Sequence, residues 1–84
     1  MPSRNAALRN HDAATLAGYL EVCEDQWERW QSRANSARLA AADPRTIRFH
    51  DDEAAYWRRF AEMLRLAIAE ADASERRVAG RRTA

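Results

Sequence analysis

The run His50-Asp51-Asp52-Glu53 sets an imidazole beside three carboxylates, and His11-Asp12 repeats half of it near the start of the chain. Imidazole and carboxylate together can bind a divalent metal or move a proton. Both runs, however, stand where a helix is expected to begin, and there acidic residues already serve as caps and as counter-charges to the helix dipole. Paired-cysteine sites, the metalloprotease helix motif and the phosphate-cradling glycine loop are absent from the sequence. Cys23 is the single cysteine. It falls on an apolar spacing with no histidine placed to activate it, and burial there raises a thiol pKa. No catalytic, metal or cofactor residue is assigned, and a non-enzymatic protein is expected.

Two charged groups remain as candidate contact surfaces. Glu21, Glu24, Asp25 and Glu28 make an acidic face on the first helix, suited to an arginine-rich surface and supported in part by the Asp25–Arg29 pair. Arg76, Arg77, Arg81 and Arg82 gather near the end of the chain and, with Arg48, are the candidate nucleic-acid contacts. The overall balance gives them little help, because 14 basic and 13 acidic residues leave a net charge of +1.

Two stretches look like DNA-binding motifs. "TLAGYLEVCEDQWERW" resembles the helix-turn-helix of phage-type repressors, with Leu16, Leu20 and Val22 at core positions, Cys23 to Asp25 at the turn and Trp30 late in the recognition helix. It departs from that pattern at Glu21, where the family usually has glycine, and at the bulky Trp27. Glu24, Asp25 and Glu28 would also point acid at phosphate. "RTIRFHDDEAAYWRRFAE" resembles the start of a ribbon-helix-helix repressor, in which Ile47 and Phe49 would face the core while Thr46, Arg48 and His50 faced the major groove. The second helix of that family needs a glycine-containing turn, and "MLRLAIAEADASERR" runs on without one. If neither motif forms, Ile47 and Phe49 plug the open end of a helical pair.

The elements that must position these residues are helices. Leu16, Leu20, Cys23, Trp27, Trp30, Ala34, Ala37 and Ala41 follow alternating steps of four and three, the seam of a helix packed on another helix. Trp57, Phe60, Leu64, Ala67, Ala71, Ser74 and Val78 repeat the rule. Asn10 or Asp12 can cap the first helix, Asp43 and Pro44 would stop it, Asp51 can cap the second, and Gly80 can end it. The expected fold is all-α: an antiparallel two-helix hairpin with a heptad-like seam, turning near Ile47. Its parts are a flexible segment 1–11, a hairpin 12–79 made of helix 12–42, linker 43–50 and helix 51–79, and a basic tail 80–84. The seams then match in layers, Ala37 with Trp57, Ala34 with Phe60, Trp30 with Leu64 and Trp27 with Ala67, continuing to Leu16 with Val78. In most layers a large side chain meets a small one.

Beside the seam the helical repeat leaves Tyr19 and Val22 on the first helix, and Tyr56, Met63 and Leu66 on the second, with Trp30 at their edge. A chain of 84 residues has a small core, so this second apolar stripe is expected to be a protein interface. Its simplest use is a homodimer forming a four-helix bundle. The expected function is a small interaction module that binds a larger protein or complex and modulates or inhibits it. Phage-encoded inhibitors of host or defence machinery, such as anti-CRISPR proteins, act in that way. The alternative is a small DNA-binding regulator. The lone cysteine, the lack of a signal-peptide core at the start and the lack of an apolar run near ~20 residues point to the cytoplasm and away from a membrane.

Overall fold

The computed structural model describes residues 11–83, and the side chains of residues 11–81. The expected flexible segment 1–11 therefore lies outside the described residues apart from His11. Two helices, α1 (Ala13–Leu39) and α2 (Pro44–Thr83), pack against each other as an antiparallel hairpin, as the two seams require.

Helix α1 begins at Asp12, whose backbone is extended and whose carboxylate accepts the Thr15 backbone N–H at 2.8 Å. That bond occupies one of the amides left open at a helix start, and the Thr15 hydrogen bonds, the side chain's first and the backbone N–H's next, hold the Asp12 carboxyl below its ordinary pKa. The other end is closed by a Schellman motif: Ala42 N–H donates to the Ala37 carbonyl at 2.9 Å, and Ala41 N–H to that of Arg38 at 3.1 Å. The left-handed residue this motif needs is usually glycine. Here it is Ala41, at φ 52°.

The turn is the main departure from expectation. Residues 43–50 are not a linker, because α2 starts at Pro44 and Asp51 lies inside it. Asp43 and Pro44, expected to stop the first helix, start the second. Proline suits the first helical position, where its missing N–H costs nothing, and the Asp43 carboxylate accepts the Arg45 N–H at 2.8 Å. Gly80 does not end α2 either, since the helix passes through it to Thr83 with no positive φ. The expected tail is thus helical through residue 83.

Moving the turn from Ile47 back to Ala40–Asp43 changes the register. A turn at Ile47 would set Arg38 level with residue 56, but Arg38 is ion-paired with Asp51. It would likewise set Glu24 level with residue 70, but Glu24 pairs with Arg65 at 3.2 Å. At these two ion pairs the pairing is displaced by five residues from the expected register. At the open end Glu75 Oε1 accepts the Ala13 N–H at 3.4 Å, consistent with the same alignment.

The slide selects a different track on α2. Leu16, Cys23, Ala34 and Leu64 are buried as expected, and Trp57, Phe60, Ala67 and Ala71 pack partly buried around them. Ala54 and Ala61, absent from the expected seam, are also buried, and Ile68 joins the cluster. Ser74 and Val78 are exposed, Ala41 lies in the turn, and Trp27 is half-buried at the edge of the interface. Leu16 and Leu64, both 0% exposed, are the two largest fully buried side chains.

Candidate functional site: an aromatic flank beside a polar one

The cross-helix ion pairs lie on one flank of the hairpin. There Trp27, Gln31, Asn35 and Arg38 of α1 face Asp51, Ala55, Arg58 and Glu62 of α2 across a shallow polar groove. The Arg58 guanidinium stands 5.9 Å from the Trp27 ring centroid. Arg58 also pairs with Glu62 at 3.3 Å, one turn on. Trp27 therefore edges a polar groove and does not project over Ala67.

Aromatic side chains collect at the turn end. Trp30, expected opposite Leu64, instead meets Phe49 edge-on at 5.6 Å between ring centroids and His50 at 5.7 Å. The Arg33 guanidinium covers the Trp30 ring at 4.6 Å. Next along α2, Tyr56 packs edge-on to Trp57 at 5.3 Å and lies 6.4 Å from Phe60. Phe49 remains 54% exposed, a large apolar surface on a small protein. Among the described residues Trp57 Nε1 and His50 Nδ1 are buried with no hydrogen-bond partner.

The residues of the expected stripe do not form one compact patch. Tyr19, Val22 and Tyr56 are exposed, Met63 is half-buried, and Leu66 is 69% exposed on the outer side of α2. In the observed register Tyr19 is level with residue 70, about 20 Å along the axis from Tyr56 at 1.5 Å per residue. Tyr19 packs instead against His11, 5.5 Å away and edge-on. Phe49, expected to face a core or to plug the open end of the pair with Ile47, is instead largely exposed, because the strand or linker its position depended on does not form.

The other candidates also fall in definite places. Cys23 is buried, and burial, with the neighbouring Glu24 adding to it, pushes its thiol pKa up. Glu21, Glu24, Asp25 and Glu28 lie on α1, but Glu24 accepts from Arg65 and Asp25 pairs with Arg29 at 3.0 Å. Arg48, Arg76, Arg77 and Arg81 are exposed on α2, and the Arg82 side chain lies outside the described residues. Arg48 and Arg76 are about 42 Å apart along the helix, so they make no single basic patch. His50, Asp51, Asp52 and Glu53 point to different sides of α2, and among the described residues no cluster could hold a metal ion. Neither DNA-binding motif forms. Cys23 to Asp25 is uninterrupted helix in α1, and Thr46 to His50 is helix in α2.

Residues 2–79 match the family of the TY-Chap C-terminal domain. The chain belongs to that family. No curated protein and no solved structure matches it. For this TY-Chap C-terminal domain, the fold is the helical hairpin described above, and no described helix is long and apolar enough to cross a membrane.

Proposed function

We propose that this TY-Chap C-terminal domain is a chaperone-like, non-enzymatic interaction module of the cytoplasm that holds an apolar segment of a larger protein against its aromatic flank. The observation that carries the reading is Phe49, left largely exposed while packed edge-on against Trp30 under the Arg33 guanidinium. Aromatics and arginine are the residue types that dominate binding energy at protein interfaces. They stand here at one end of a hairpin whose own core is small. The family name supports a chaperone role, and binding that covers an apolar segment would modulate the larger protein without any bond being made or broken.

The test is suppression of aggregation. A reporter enzyme that aggregates on mild heating is scattered with and without a molar excess of the domain. The wild-type protein is expected to lower the scattering, and Phe49→Ser is expected to lose most of that effect while keeping its helical circular dichroism. An inactive wild type, or a Phe49→Ser variant as protective as wild type, overturns the reading.

A further inference from the structure

A second pattern lies on the outer side of α2, roughly 120° round the helix from the buried Leu64 at 100° per residue. Asp52, Tyr56, Arg59, Met63, Leu66, Glu70, Ala73 and Arg77 follow alternating steps of four and three without a break, which is the spacing of a coiled-coil seam. All are exposed except Met63 and Ala73, which are half-buried. The order of side chains is self-complementary. Reversed and laid on itself about its midpoint, the stripe sets Asp52 against Arg77, Tyr56 against Ala73, Arg59 against Glu70 and Met63 against Leu66. Each charge meets its opposite, and the largest ring meets the smallest side chain.

We propose that this stripe is the interface of an antiparallel homodimer, with α2 of one copy paired along α2 of a second. Other pairings are disfavoured by charge. A parallel arrangement would place Arg59 on Arg59 and Glu70 on Glu70, and sliding the antiparallel pair by one heptad sets Asp52 against Glu70 in one direction or Arg59 against Arg77 in the other. Like charges held opposite each other repel, and this is how coiled coils select register. The stripe begins one step beyond Phe49, since Asp52 is three residues on along the same helix, and Tyr56 belongs to both surfaces.

Charge exchange tests the pairing. Sedimentation equilibrium of the full chain from about 1 µM to about 500 µM, in low salt, is expected to show a reversible dimer. Arg59→Glu alone and Glu70→Arg alone are each expected to weaken it by about tenfold or more. The double variant Arg59→Glu with Glu70→Arg is expected to regain dimerisation to within about threefold of wild type, because the exchanged charges again meet their opposites. Circular dichroism checks that each variant keeps the hairpin. A chain that stays monomeric throughout, single variants that dimerise as well as wild type, or a double variant that fails to recover would overturn the proposal. Aggregation suppression by Phe49 fails or survives independently of these outcomes.

Discussion

The Arg65 guanidinium donates to Glu24 Oε1 at 3.2 Å, joining positions 41 residues apart. This contact and the Arg38–Asp51 pair report the alignment of the two helices more than they create it. Both are exposed enough that each contributes no more than about 1 kcal/mol. Arg65→Ala should therefore lower stability only slightly, whereas Leu64→Ala, one residue away and fully buried, should cost about 2–5 kcal/mol in urea unfolding.

The same alignment predicts which small residues cannot grow. Ala61 is 0% exposed against α1, so Ala61→Leu should overpack the interface and cost about 1–3 kcal/mol. Val78 is 46% exposed and beyond the buried track, so Val78→Ala should stay within about 0.5 kcal/mol of wild type. The opposite ranking in a pair of urea melts would restore the seam that ran through Val78.

At the turn, Ala41 holds a backbone conformation that disfavours any side chain. Ala41→Gly should raise stability by about 0.5–1 kcal/mol, after allowing for the extra freedom glycine gives the unfolded chain. A lower melting temperature would mean that the left-handed turn is not present in solution.

Asp12 makes the stability depend on pH. Its pKa is lowered, first by the hydrogen bonds from Thr15, with His11 adding a smaller effect. A carboxyl with a depressed folded pKa contributes fully above its unfolded value, near 3.8, and loses that contribution as pH falls through the folded value. Asp12→Ala should thus melt at a lower temperature than wild type at pH 7, and the gap should narrow as the pH is taken below about 4.

Cys23 offers a probe of opening. With its thiol buried and its pKa raised, reaction with a disulfide reagent at pH 8 should be slow in the native protein and fast in urea. Rapid labelling of the folded chain would show that the helices separate readily at that layer.

Fold class was decided by spacing alone. Steps of four and three carry Leu16, Cys23 and Ala34 onto one side of a helix whatever the helix packs against, and they carry Leu64 likewise. Local chemistry also settled Asp12 as a cap, since its side chain needs only the amide three residues on. Register was different in kind. Asp43-Pro44 can end one helix or begin the next with equal local sense, and on α2 the tracks through Ala54, Ala61 and Ile68 or through Phe60, Ala67 and Ser74 have the same period. Only the facing helix distinguishes them, because it must fit its own large side chains against alanines and close the chain through four residues. That fit moved Trp27 to a polar groove and Trp30 to Phe49, and so decided which aromatic surface the protein presents.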